Sequence, residues 1–282
     1  NPIVTTTYTV TITDSIGCVS SYNVIIVVSN PIAYAGVDDT ICIGNTTNLT
    51  VNITGGILPF TYSWNPGGMS SDSITVNPLV TTTYTITATD YSGCNSSDEV
   101  IVVVSNPIAD AGLDDTICIG SSSVIAVNAT GGIYPYSYNW SPGGMTTDTI
   151  NINPLITTTY SVTITDIMGC TNTDDVIVVV SNPLVDAGQD DTICIGNNTI
   201  LTANVSGGIL PYSYSWNPGG MTTGSVTVSP VSNTTYTVTT TDIMGCTASD
   251  DIIIIVSNSI ADAGIDDTIC IGNSTTLAVN VA

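Results

Sequence analysis

The sequence predicts an all-β chain, an elongated tandem array of small β-sandwich domains. Three observations carry this. The chain repeats every 76 residues: Cys42, Cys118, Cys194 and Cys270 keep that interval, as do Cys18, Cys94, Cys170 and Cys246, and Trp64, Trp140 and Trp216. Apolar residues alternate with Thr and Ser at a period of two, the pattern of a half-buried strand. Gly and Pro turn signals punctuate these runs, and no stretch has helical periodicity.

The Ser-Asn-Pro and Ser-Asn-Ser steps set the boundaries. They give a partial repeat at residues 1–30, full repeats at 31–106, 107–182 and 183–258, and a partial repeat at 259–282. A unit of this size can hold one sandwich core. The chain reads as an excerpt from a longer array.

The repeat at 107–182 shows each element in order. Residues 110–120 read as a first, kinked edge strand, and 123–129 as the second strand. Gly131-Gly132 is a turn. Tyr134–Trp140 is an aromatic strand with Trp140 as core anchor, and Ser141–Gly144 turns again. Thr149–Ile152 is short. In Thr157–Thr165, Tyr160, Val162 and Ile164 face inward and the threonines outward. Asp166–Cys170 is a hairpin turn, and Val176–Val180 a buried last strand. About seven short strands with regular turns are the pattern of an immunoglobulin-like sandwich, and Tyr84, Tyr160 and Tyr236 stand where a tyrosine corner would lie.

Composition narrows the function. The chain has no Lys, Arg or His against 23 acidic residues, a net charge of −23. That argues against nucleic acid and anionic membrane surfaces as partners. It favours solubility, mutual repulsion and cation binding, and leaves trypsin-like proteases no site. No apolar run is long enough to span a membrane. Two cysteines per repeat at fixed places point to disulfides and an extracellular setting. An enzyme is not expected: without His or Lys, the general acid–base candidates left are carboxylates, with Glu99 as the one glutamate.

The aspartates are the candidate ligands. Asp-Asp pairs recur at Asp38-Asp39, Asp114-Asp115, Asp190-Asp191 and Asp266-Asp267, and a hairpin aspartate at Asp14, Asp90, Asp166 and Asp242. Calcium takes six to eight oxygen ligands from flexible acidic loops. The candidate calcium set is Asp110, Asp114, Asp115 and Asp166 in one repeat and Asp186, Asp190, Asp191 and Asp242 in the next. The competing reading is that these residues cap turns through Asx hydrogen bonds. Trp64, Trp140 and Trp216, with Tyr62, Tyr138 and Tyr214, are expected in the core rather than on a sugar-stacking platform.

The series Ala-Gly-x-Asp-Asp-Thr-Ile-Cys-x-Gly, Tyr-x-Trp-x-Pro and Thr-Thr-Tyr-x-Val-Thr-x-Thr-Asp-x-x-Gly-Cys resembles the PKD-like and immunoglobulin-like repeats of large Bacteroidota surface proteins. Gliding-motility adhesins of the SprB kind are among them. The resemblance implies a secreted, cell-surface adhesin or filament, exported by a type IX pathway. The Asp-Ser/Thr-apolar triplet resembles the O-glycosylation motif of the same bacteria. It marks Ser15, Thr40, Ser73, Thr116, Thr149, Thr192 and Thr268 as candidate glycosylated residues.

The expected function is a structural, disulfide-locked segment of an extracellular fibre or adhesin stalk, rigidified by calcium or glycosylated. Its partners would be adjacent repeats or neighbouring copies of itself. The alternative is a multivalent module that binds surface polysaccharide by avidity. The expected disulfides lie within repeats: Cys42–Cys94, Cys118–Cys170 and Cys194–Cys246, with Cys18 and Cys270 pairing outside these. They require the kink near Gly112 or Asp114-Asp115 to shorten the first strand. Otherwise the cysteines face opposite ends of the sandwich, and the bridge goes to the next repeat, as Cys42–Cys170, or to a neighbouring chain.

Overall fold

The computed structural model describes residues 2–281. Asn1 and Ala282, the outermost residues of the two partial repeats, lie outside the described residues. Every regular element among the described residues is a β-strand. The chain divides into two compact units, one of residues 1–111, 126–148 and 161–175, the other of residues 112–125, 149–160 and 176–282.

In the first unit, strands β1 (Thr6–Thr13) and β2 (Val19–Ile26) form an antiparallel hairpin. The repeat at 31–106 follows, with β3 (Ile32–Tyr34), β4 (Asp39–Cys42), β5 (Thr47–Thr50), β6 (Asn52–Thr54), β7 (Thr61–Asn65), β8 (Ser73–Val76), β9 (Thr82–Thr89) and β10 (Asn95–Ser105). One sheet has the order β4-β10-β9-β7, and the second layer consists of the pairs β3-β6 and β5-β8. The two layers close on Trp64, Ile86 and Val102, none with measurable exposure, and on Leu49, Ile74 and Val76 from the second layer. A buried Trp removes roughly 200 Å² from water. Its one polar atom is satisfied, because Trp64 Nε1–H donates to the Ser71 carbonyl at 3.0 Å.

The predicted kink is present and has a larger consequence than shortening. The first strand changes sheets there. β3 pairs antiparallel with β6, whereas β4 pairs parallel with the C-terminal end of β10, in the register Val102↔Asp39 to Ser105↔Cys42. Side chains of β10 hold the switch in place: Asp98 Oδ2 accepts from Ala35 N–H at 2.8 Å, and Ser96 Oγ from Ala33 N–H at 3.1 Å.

The next repeat has β11 (Pro107–Asp110), β12 (Asp115–Cys118), β13 (Ser123–Ala126), β14 (Asn128–Gly131), β15 (Ser137–Ser141), β16 (Thr149–Ile152), β17 (Thr158–Thr165) and β18 (Thr171–Ser181). Within the first unit β11 pairs antiparallel with β14, and residues 161–165 of β17 with β15. Within the second unit β12 pairs parallel with β18, ending at Cys118↔Ser181.

The repeat at 183–258 lies wholly in the second unit. Its strands are β19 (Leu184–Asp186), β20 (Asp191–Cys194), β21 (Thr199–Thr202), β22 (Asn204–Ser206), β23 (Ser213–Asn217), β24 (Ser225–Val228), β25 (Thr234–Thr241) and β26 (Thr247–Ser257). The sheet order β20-β26-β25-β23 and the pairs β19-β22 and β21-β24 reproduce the earlier topology. A buried cluster around Trp216, Leu201, Val238 and Ile254 forms its core. The short pair β27 (Ala261–Asp262) and β28 (Asn280–Val281) follows.

Candidate functional site: the junction between repeats

The parallel β4-β10 pairing decides the disulfides, and it corrects the expected pairing. Cys42 stands opposite Ser105, the last residue of β10, while Cys94 immediately precedes its first. An 11-residue strand at about 3.3 Å per residue puts these ends roughly 35 Å apart. A disulfide needs its Cα atoms within about 7 Å. Cys42–Cys94 therefore cannot form, and the same topology excludes Cys118–Cys170 and Cys194–Cys246. Cys42 bonds instead to Cys170 in the hairpin turn of the following repeat, and Cys118 to Cys246, each with Cα atoms 5.3 Å apart and a separation of 128 residues. This is the bridge to the next repeat that the sequence left open as an alternative. Cys18, Cys94, Cys194 and Cys270 are thiols in this structure.

Beside each bridge lies a carboxylate shared by two repeats. Asp166 opens the hairpin turn before Cys170 and is 4% exposed. Its Oδ1 accepts N–H bonds from Met168 and Cys170, both at 2.9 Å, which closes the turn. Its Oδ2 accepts from Ile133 N–H at 3.0 Å and from the hydroxyl of Ser105, the residue paired with Cys42. One carboxylate thus folds its own hairpin and holds the end of the preceding repeat. Asp242 repeats the arrangement with Met244, Cys246, Ile209 and Ser181. Asp90 does so with Ser92, Cys94, Ile57 and Ser29.

Burial pushes the Asp166 carboxyl up, but the Ser105 hydroxyl and the N–H groups of Ile133, Cys170 and Met168 outweigh it. The group is held below the usual carboxylate value. The same balance lowers Asp242, with Ser181 as the hydroxyl partner. At Asp90 the Ser29 hydroxyl has the largest influence, and it lowers the group.

The Gly-Gly turn completes the junction. Gly131 has φ +62°, and a Cβ there would lie 2.3 Å from the Asn106 carbonyl oxygen in the linker. Gly207 meets Asn182 in the same way, at 2.4 Å. Only glycine lets the turn lie directly on the linker backbone.

The other candidate calcium ligands do different work. Asp114 Oδ1 accepts from Ile177 N–H, and Asp190 Oδ1 from Ile253 N–H, each at 2.9 Å. Asp115 accepts from Thr116 N–H at 2.7 Å and Ser123 Oγ at 2.5 Å; Asp191 accepts from Thr192 N–H at 2.8 Å and Thr199 Oγ1 at 3.1 Å. Asp186 accepts from Gly188 N–H at 2.8 Å, and Asp110 ends β11 opposite Asn128. Among the described residues no three His, Cys, Asp or Glu side chains come together as metal ligands.

Of the candidate glycosylation residues, Ser15, Ser73, Thr149, Thr192 and Thr268 are exposed, while Thr40 and Thr116 are half-buried. Ser105 and Ser181 were not singled out as site residues from sequence. The serine of each Ser-Asn-Pro step recurs with the same period as the cysteines, and that recurrence was the available signal.

Residues 36–69 and 188–221 match the SprB repeat family, the same stretch taken two repeats apart. No curated protein matches the chain. Among solved structures, immunoglobulin domains 1–5 of Sidekick-1 are similar at 16% identity and a TM-score of 0.34, over 82% of this chain and 59% of that one. The N-terminal eight Ig domains of Down Syndrome Cell Adhesion Molecule are similar at 16% identity and a TM-score of 0.33, over 92% of this chain and 39% of that one. The chain thus spans less than two thirds of either. Three N-terminal domains of the Highly Immunogenic Outer Capsid protein of bacteriophage RB49 are similar at 14% identity and a TM-score of 0.42, over 81% of this chain and 98% of that one. The chain is a region of tandem immunoglobulin-like β-sandwich repeats in which SprB-repeat sequence stands at residues 36–69 and 188–221.

Proposed function

We propose that this region is a stalk segment of an extracellular, cell-surface fibre or adhesin, whose work is mechanical. The observation that carries the reading is the pair of bridges from one repeat to the next, Cys42–Cys170 and Cys118–Cys246. Such bonds persist in oxidising surroundings outside the cell. They tie each repeat to its neighbour where a globular enzyme or a free-standing module would cross-link within itself. The SprB-repeat matches support the surface setting. Ser15, Ser73, Thr149, Thr192 and Thr268 are exposed residues, and glycans attached there would protect such a surface.

Polysaccharide binding is the weaker reading. Trp64, Trp140 and Trp216 have no measurable exposure, so none offers a ring face to a sugar. Antibodies raised against the purified segment test the stalk reading. They should decorate filaments on intact, unpermeabilised source cells, and glycans released from those cells should not bind the segment. Labelling that appears only after permeabilisation would overturn it.

A further inference from the structure

The bridges and the cysteine spacing together define a path that the chain order conceals. Cys18 to Cys42, Cys94 to Cys118, Cys170 to Cys194 and Cys246 to Cys270 are each 24 residues. Each such segment runs from a hairpin turn into the next repeat, and the first three end with β4, β12 and β20. Cys94–Cys118 contains β10, β11 and β12, and Cys170–Cys194 contains β18, β19 and β20. Most residues of these two segments are in strands, and 24 residue steps of chain can reach at most about 85 Å.

We propose that these strand segments and the disulfides form two interleaved covalent straps that carry tension past the folded repeats. One runs Cys18 to Cys42, across the bond to Cys170, and on to Cys194. The other runs Cys94 to Cys118, across the bond to Cys246, and on to Cys270. Each strap passes over 127 residues that the tension need not traverse. The two are offset by one repeat, so each bridges the stretch the other bypasses. A single backbone break anywhere between Cys42 and Cys246 leaves the molecule in one covalent piece. Bridges confined to single repeats could not do this, because every linker would then be an unprotected single strand. The inference deepens the stalk reading and rests on it for biological setting; its test uses purified chain and stands or fails apart from cellular location.

The absence of Lys and Arg makes the test clean. Leu113, 93% exposed in the turn between β11 and β12, and Gln189, exposed at the equivalent position, accept arginine. The double variant Leu113→Arg, Gln189→Arg then has two trypsin sites. Free thiols are alkylated first, the chain is unfolded in urea with its disulfides intact, and trypsin is added. We expect one species near the intact 29.0 kDa without reductant, and three pieces with it. Separation into three pieces without reductant would overturn the proposal.

A force measurement on the uncut chain, held at its two ends, reads the two bridges on which the straps depend. The shortest covalent route runs from residue 1 to 42, back from 170 to 118, and from 246 to 282, which is 129 residue steps against 281 along the chain. The oxidised chain should therefore stop extending at about 450 Å, and Cys42→Ser with Cys118→Ser at about 980 Å. This limit does not require the variant to fold. Equal limits in the two would overturn the proposal.

Discussion

Ser105 and Asp166 belong to consecutive repeats, and the hydroxyl of the first is donated to the carboxylate of the second beside the Cys42–Cys170 bridge. The carboxylate is ionised in this arrangement, and its folded-state pKa lies below its unfolded one. Its contribution is therefore complete above the ordinary carboxylate value of about 3.9 and is lost as pH falls through the folded value. Asp90 and Asp242 act in the same direction. The melting temperature should hold from neutral pH to about pH 4 and fall below it. Ser105→Ala should lower stability at neutral pH by about 1–3 kcal/mol, with a smaller deficit at low pH. A variant deficit that does not change with pH would show that the hydroxyl does not act through the carboxylate.

The bridges themselves can be mapped with an aspartate-specific protease under non-reducing conditions. The expected cross-linked peptides join Cys42 to Cys170 and Cys118 to Cys246. In the chain-entropy description, closing a loop of this length stabilises by about 5 kcal/mol, so reduction should cause a large drop in melting temperature. A peptide joining Cys118 to Cys170 would contradict the parallel pairing of β12 with β18.

Much of this was legible. The alternation in Thr157–Thr165 located β17 at Thr158–Thr165, and the Gly112–Asp115 region marked the kink between β11 and β12. The disulfide partner was not legible, for a physical reason. In a chain of identical repeats, a bridge within a repeat and a bridge to the next keep the same periodic register. What separates them is the parallel pairing that sends Cys42 to the far end of β10, a non-local fact. The Asp pairs were legible as polar turn residues. Whether their oxygens met a cation or N–H groups depended on which backbone lay beside them.

Gly131 supplies a sharp test of the linker packing. Gly131→Ala must adopt φ near +62° and place a methyl 2.3 Å from the Asn106 carbonyl oxygen. The backbone conformation alone costs about 1–3 kcal/mol, and the overlap adds to it. Gly144→Ala is the control: φ is similar, at +65°, but a Cβ there meets nothing within 4 Å. Gly131→Ala should destabilise clearly more than Gly144→Ala. Equal losses would mean that the linker does not sit on the turn.

The carboxylates of Asp115, Asp166, Asp191 and Asp242 are engaged with N–H and hydroxyl donors rather than with one another. Excess chelator should therefore leave the melting temperature unchanged. A fall of several degrees that calcium reverses would show that a cation draws these loops into a different arrangement.

Thr240 offers a stabilising change. It lies in β25 with no measurable exposure, and its Oγ1 has no hydrogen-bond partner among the described residues. The equivalent residues of the other two full repeats are Ala88 and Ile164, both apolar and equally buried. A hydroxyl taken out of water without a partner costs about 1–3 kcal/mol. Val has nearly the shape of Thr, so Thr240→Val removes that cost without opening a cavity or crowding Trp216 and its neighbours. The variant should be more stable by about 1–3 kcal/mol, with the gain confined to whichever unfolding transition reports the repeat at 183–258. Thr240→Ala should gain less, because it leaves unfilled volume beside the core. Chemical denaturation of the three proteins side by side decides it. A loss of stability in the valine variant would mean that the hydroxyl has found a partner, such as an internal water, that the packing of β25 conceals.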